Sequence, residues 1–238
     1  MDKVVVYAGT RNVYDPMYVS LKSLLINNKI DRVYLLIEDD EFPYPVPKNV
    51  YPVNVSEQTY FSEGTCANFN SPWSYMDLLR CCLGEMMPDE KQVLWLDVDT
   101  IIDDDIEELF NIDMRGYYFA GAMEPAKSKG IFRYINSGVT MHNLELLRGW
   151  NVEPLMMSMV SVYQFGFPGQ DIINLLGQGR IKLIDSEFNA NGYTMPCIMP
   201  KIIHFAAIKD YKEHFYYKKY ARQEMPMGDE NNADANIP

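Results

Sequence analysis

"VLWLDVDTII", residues 93–102, runs four apolar residues into two aspartates spaced two apart. The β-branched and aromatic run is the pattern of a buried strand, predicted over 93–98. Strand alternation then sets Asp97 and Asp99 on one face. Two carboxylates side by side repel one another and resist burial. Hard divalent cations take carboxylate oxygen, and open α/β sheets bind ligands at the carboxyl ends of their strands. A cation held between this pair and a phosphate accounts for a core strand that ends in acids. The alternative is a solvated strand end opening an acidic turn, which the "DDD" at 103–105 fits.

Outward from that strand, the pattern is α/β. "VVVYAG" (4–9) and "RVYLLIED" (32–39) read as buried strands flanking a helix over 16–28, with a loop over 42–52. This β-α-β opening predicts a parallel sheet. A helix over 71–88 leads into the central strand and a helix over 104–112 follows it. Strands are predicted over 117–124, 134–143, 181–185 and 201–206, and helices over 153–165, 169–179 and 210–222. No repeat or linker interrupts the chain. The expectation is one domain over 1–222 and a polar, disordered tail over 223–238.

Composition narrows the function. The formal net charge of -12 repels a polyanion, so no nucleic-acid partner is expected. The one cationic cluster, 209–222, reads as a solvated helix face, with peripheral membrane contact as its other use. No signal peptide or transmembrane stretch is evident. Adjacent Cys81 and Cys82 suit buried thiols, and the location expected is cytoplasmic.

Aspartate-nucleophile phosphatases of the haloacid dehalogenase type also carry D-x-D after an apolar strand. Here Ile101 stands where they place Thr or Val, and at least two strands precede the motif rather than none. The chain more closely resembles glycosyltransferase family 8, over about residues 4–209. The resemblance rests on "VVVYAGTRNVYDPMYVSLKSLL", "LLRCCLGEMMPDEKQVLWLDVDT", "YINSGVTMHNLELLR", "GQDIIN" and "IIHFAAIK", five motifs in the family's order. It implies a GT-A type single domain, with a Rossmann-like, mixed but mostly parallel sheet flanked by helices. It implies a retaining hexosyltransferase using a nucleotide sugar, UDP-glucose or UDP-galactose, and an unidentified glycan, protein or lipid acceptor.

The same resemblance assigns residues. Asp97, Asp99 and His204 would hold Mn²⁺ or Mg²⁺, imidazole suiting Mn²⁺ better. Ala8, Gly9, Thr10, Tyr14 and Val98 would line the nucleotide, with Tyr14 stacked on the base. Lys209 would reach the diphosphate and Arg80 both sugar and diphosphate, while Asn136 and Gln170 would face the transferred sugar and the acceptor, with Ser137 beside them in the nucleotide-sugar site. Gln170 is a poor nucleophile, which favours front-face transfer over a glycosyl-enzyme. Two departures stand out: Gly169 replaces the first Asp of the family's D-Q-D, and the His204–Lys209 spacing is one residue short, with Ala206-Ala207 where Gly is usual. They motivate a second reading, a nucleotide-sugar binding protein without turnover; a D-x-D phosphatase is the third.

Overall fold

A computed structural model describes residues 2–227. Nine strands are described: β1 (Val4–Ala8), β2 (Arg32–Ile37), β3 (Val50–Asn54), β4 (Val93–Leu96), β5 (Thr100–Ile102), β6 (Phe119–Met123), β7 (Ile135–His142), β8 (Ile181–Ile184) and β9 (Ile202–His204). Seven of them form one sheet in the order β3-β2-β1-β4-β7-β6-β8. β7 alone runs antiparallel to its neighbours β4 and β6; the other pairings are parallel. β5 and β9 pair antiparallel in a small second sheet. The mixed, mostly parallel sheet of a GT-A type domain is therefore present.

Alternation along β1 and β4 builds a core on each face. Val4, Val6, Val93 and Trp95 point into one. Val5, Tyr7, Leu94 and Leu96 point into the other, against Met17, Leu21 and Leu24 of α1 (Tyr14–Asn27). The first face is covered by a 3₁₀ segment at Tyr75–Cys81, α2 (Leu83–Met86), α4 (Leu144–Gly149), α5 (Val152–Val162) and α6 (Pro168–Leu176). The remaining helices are α3 (Glu107–Phe110) and α7 (Phe215–Ala221). Among the described residues no helix is long and apolar enough to cross a membrane. Cys66, Cys81 and Cys82 are buried and free.

Several predicted boundaries move. The predicted central strand stops at Leu96; Asp97–Asp99 form a turn, and residues 100–102 enter the second sheet. The predicted loop over 42–52 contains the start of β3, an edge strand that tolerates Pro52 because its outer side needs no donor. The predicted helix over 71–88 is broken. The Gly84 N–H donates to Glu153 Oε1 at 2.6 Å instead of closing a helical turn. Helix 104–112 shrinks to the single turn of α3. Of the predicted tail, Met225 is buried and Gln223 is held by its carbonyl, which accepts from Lys22 Nζ at 2.9 Å. Residues 228–238 lie outside the described residues. In the cationic cluster, Lys218 pairs with Glu213 and Lys219 with Asp103.

Glu153 gives a stability prediction. It is buried, and desolvation pushes its pKa up from 4.5 to about 7, against the opposing pull of the Gly84 N–H. A raised folded pKa means that the native state holds the proton more tightly than the unfolded chain. The stabilisation is full below pH 4.5 and is lost as pH rises through 7, by about 3 kcal/mol in all. Glu153→Gln keeps an acceptor for Gly84 and carries no charge. Its Tm is expected to exceed wild type at pH 8 by several degrees and to match it at pH 5. Thermal melts across that range check this; equal differences at both pH values would refute it.

Candidate active site

The site lies where the strand order reverses. α1 carries the chain from β1 to β2 on one side, while β4 flanks β1 on the other, and ligands of open α/β sheets bind at such a crevice. Ala8, Gly9 and Thr10 leave the end of β1, and Asp97, Val98 and Asp99 leave the end of β4. Both segments line a cavity of about 470 Å³, joined by Arg80, Asn136, Ser137, Gln170 and His204. Gly9 is closely packed: a Cβ there would sit 2.6 Å from Val13 Cγ2 and 2.9 Å from Met17 Cε, so those side chains would have to shift.

The turn that presents the aspartates is fastened at both ends. Asp97 N–H donates to Gly138 O at 2.8 Å, and Thr100 Oγ1 donates to Asp97 O at 2.8 Å. Phe205 N–H donates to Asp99 O at 3.0 Å, which ties the turn to the segment carrying His204. His204 Nε2 lies 3.4 Å from Asp99 Oδ1 and 3.8 Å from Asp97 Oδ2. One ligand atom from each of the three residues falls within 4.8 Å of the others. Asn189 Oδ1 is 2.9 Å from His204 Nδ1; accepting from Nδ1–H, it leaves Nε2 facing the aspartates. Burial alone would lower the His204 pKa, but the facing Asp99 and Asp97 raise it. Burial alone would raise Asp97, but Arg80 and His204 hold it below the usual carboxylate range.

Arg80 organises the floor. It is buried, stacked over the Trp95 ring at 4.5 Å, and its donors are taken by protein. Nη1 reaches Ser137 O at 2.9 Å and Ser137 Oγ at 2.7 Å; Nη2 reaches Asp97 Oδ1 at 3.0 Å and Asp77 Oδ1 at 2.7 Å. Trp95 Nε1 donates to the same Asp97 oxygen at 2.8 Å. Arg80 therefore aims Asp97 while itself lining the cavity. Gln170 Oε1 accepts from Ser137 N–H at 2.9 Å, while Nε2 lies 3.3 Å from both Glu124 Oε1 and Tyr134 OH. Asn136 Nδ2 donates to Glu124 Oε1 at 2.8 Å, and Lys127 Nζ pairs with Glu124 Oε2 at 3.3 Å.

Two predicted residues are not brought in. Tyr14 is buried beneath the loop, its ring against Phe42; its hydroxyl donates to Asp39 and accepts from Glu38 N–H. No face is open for stacking on a base. Lys209 is exposed and outside the cavity lining, where Ala206, Ala207 and Tyr211 stand instead. Ala207 adopts φ 60°, the left-handed region that glycine enters without cost. The motifs also missed Asp77, Glu124, Lys127 and Asn189. Only Glu124, an acid closing the predicted strand 117–124, offered a local signal.

The family model described as glycosyl transferase family 8 matches residues 4–214. The chain belongs to glycosyltransferase family 8. A glycosyltransferase of Haemophilus influenzae is 26% identical over 143 residues, covering 53% of this chain and 43% of that protein. The lipopolysaccharide 1,2-glucosyltransferase of Escherichia coli is 26% identical over 246 residues, covering 90% of this chain and 67% of that one. The chain thus spans less than half of the first relative. Among solved structures, the galactosyltransferase LgtC, in complex with donor and acceptor sugar analogs, aligns with TM-score 0.64 at 19% identity, over 92% of this chain and 95% of that one. Family 8 membership decides against the phosphatase alternative. It also fits the position of the acids in the turn after the fourth strand of the chain, not after the first.

For a family 8 site, the Asp97–Asp99–His204 group has the donor chemistry of a divalent cation: two carboxylates, one imidazole and an opening to the cavity. Asn189 sets the ring that this group needs. Asn189→Ala is expected to weaken Mn²⁺ affinity by roughly 10- to 100-fold with little change in nucleotide affinity at saturating metal. Calorimetric titration of Mn²⁺ checks this, and an unchanged dissociation constant would refute it.

Proposed function

We propose that this chain transfers a hexose from a UDP-linked sugar to a glycan, protein or lipid acceptor with retention of configuration, in the cytoplasm, aided by Mn²⁺ or Mg²⁺. The observation that carries the reading is the Asp97–Asp99–His204 cluster at the β1/β4 crevice, opening on the cavity. The similarity to a glucosyltransferase and a galactosyltransferase favours a hexose donor. When bound, the cation supplies Lewis-acid stabilisation of the leaving diphosphate.

The chain's own residues do the rest. Ala8, Gly9 and Val98 form the apolar side of the nucleotide groove, and Thr10 adds a hydroxyl at its edge. Asn136, Ser137 and Gln170 form the sugar wall. The Gln170 amide is locked between Ser137, Glu124 and Tyr134 and lines the cavity, where its fixed dipole would act on developing charge without reorganising. Glu124 is buried and holds three donors, and Asp77 is held by Arg80 and Gly169. Neither is a free nucleophile, which favours front-face transfer, the acceptor proton passing to the leaving diphosphate. Lys209, exposed on the loop after His204, would reach that diphosphate when the donor is bound.

The test is nucleoside diphosphate release from UDP-, GDP- and ADP-sugars with Mn²⁺, without acceptor. Slow release from a UDP-hexose, lost with EDTA, supports the reading. Tight binding of the donor with no release would replace it by the binding-protein reading. Anomeric analysis of the product checks retention.

A further inference from the structure

Asp77 sits on the 3₁₀ segment below the cavity mouth and lines the cavity next to Arg80 and Gln170. Its carboxylate is held by two elements. Oδ1 pairs with Arg80 at 2.7 Å, and Oδ2 accepts from Gly169 N–H at 2.8 Å, in the first turn of α6. The second contact exists only because residue 169 lacks a side chain. A Cβ there would lie 2.6 Å from Asp77 Oδ2 and 2.8 Å from Arg80 Cδ. Asp77 and Gly169 are therefore a matched pair, and the pair holds a carboxyl group, its pKa raised by burial against the opposing pull of Arg80, beside Gln170 in the cavity lining.

Two donors leave a carboxylate with unused lone pairs, since its two oxygens offer about four acceptor sites. The other acids of the cavity are committed. Asp97 and Asp99 face His204, and Glu124 is surrounded by Asn136, Gln170 and Lys127. Asp77 keeps a side-chain exposure of 16% and lines the cavity. A carboxylate of this kind, prevented from turning, discriminates a sugar hydroxyl from its absence. The acceptor left unpaired then stays desolvated.

We propose that Asp77 is a donor-specificity residue that accepts a hydrogen bond from one hydroxyl of the transferred hexose, and that Gly169 is the glycine that admits it. This rests on the nucleotide-sugar reading above. The bare alternative is structural: Asp77 merely anchors α6 and Arg80.

A cycle between residue and substrate separates the two. kcat/KM for diphosphate release is measured with the preferred UDP-hexose and with analogues deoxygenated singly at C2, C3, C4 and C6. In wild type one deoxygenation is expected to cost about 10- to 100-fold, the range of a charged hydrogen bond. In Asp77→Ala, and in Gly169→Ala, which crowds both the Asp77 carboxylate and its backbone carbonyl, 2.8 Å from the added Cβ, the penalty at that one position falls below about 3-fold while the others stay. Asp77→Asn, of the same shape, shows an intermediate penalty and serves if the alanine variants do not fold. A uniform fall for every donor, with all ratios kept, overturns the assignment of Asp77 alone. No release by wild type from any UDP-hexose overturns the nucleotide-sugar reading and the assignment with it.

Discussion

Asp99→Asn loses at least about 100-fold in Mn²⁺-dependent diphosphate release while melting within a degree or two of wild type; Asp97→Asn loses as much activity and also melts lower. The activity term is common because each carboxylate would contribute an oxygen to the same cation, whose charge stabilisation is worth several kcal/mol. The stability terms differ because the two acids are held differently. Asp99 is a quarter exposed, and its side chain faces only His204. Asp97 Oδ1 receives both Arg80 Nη2 and Trp95 Nε1. Neutralising it leaves a buried guanidinium paired with Asp77 alone, a loss of about 1–2 kcal/mol. For a chain of this size that is a fall of roughly 2–8 °C. Release assays beside thermal melts check both halves. An Asp99→Asn enzyme that retained a third of its activity would remove the cation from this site.

How far the sequence foretold these positions depends on what kind of force sets each one. β1, α1, β2 and β4 were legible because their apolar periodicity records burial on two faces of a sheet. Asp97 and Asp99 were legible as a pair, but for a reason the structure replaces. They meet through a turn clamped by Gly138 O and Thr100 Oγ1, partners that no local pattern announces. His204 carries no periodic signal beyond a strand end and was reached through the family motif alone. Asn189, which orients it, lies in "EFNANGY", where nothing marks one asparagine from another. Arg80 was found as a cavity residue, but its partners within the protein were not. Its spacing to Asp97 was visible, yet its burial over Trp95 and its bonds to Ser137 are tertiary facts. Tyr14 failed similarly: a tyrosine in a ligand loop looks like a stacking residue until its hydroxyl is seen bridging Asp39 and Glu38.

Gly138→Ala is expected to weaken Mn²⁺ binding from a strand that contributes no ligand. Gly138 lies on β7, and its missing side chain is the seat of the His204 ring. A Cβ there would stand 2.1 Å from Cε1 and 2.7 Å from both ring nitrogens. The backbone cannot retreat easily, because Gly138 O accepts from Asp97 N–H and Gly138 N–H donates to Asn136 Oδ1 at 3.1 Å. The ring must therefore turn away, giving up Asn189 and its place beside Asp99. Metal affinity should fall by at least about 10-fold, as for loss of a group that orients a ligand. Overpacking should cost a further 1–3 kcal/mol or so of stability. The double variant Gly138→Ala/His204→Ala distinguishes this from general misfolding. With the imidazole gone there is nothing to collide with, so its melting temperature should recover toward that of His204→Ala alone, while Mn²⁺ affinity stays lost. Such a recovery is a non-additive pair, as expected of two groups competing for one space. Additive losses in the double variant would mean that residue 138 acts through the β7 backbone and not through the ring it seats.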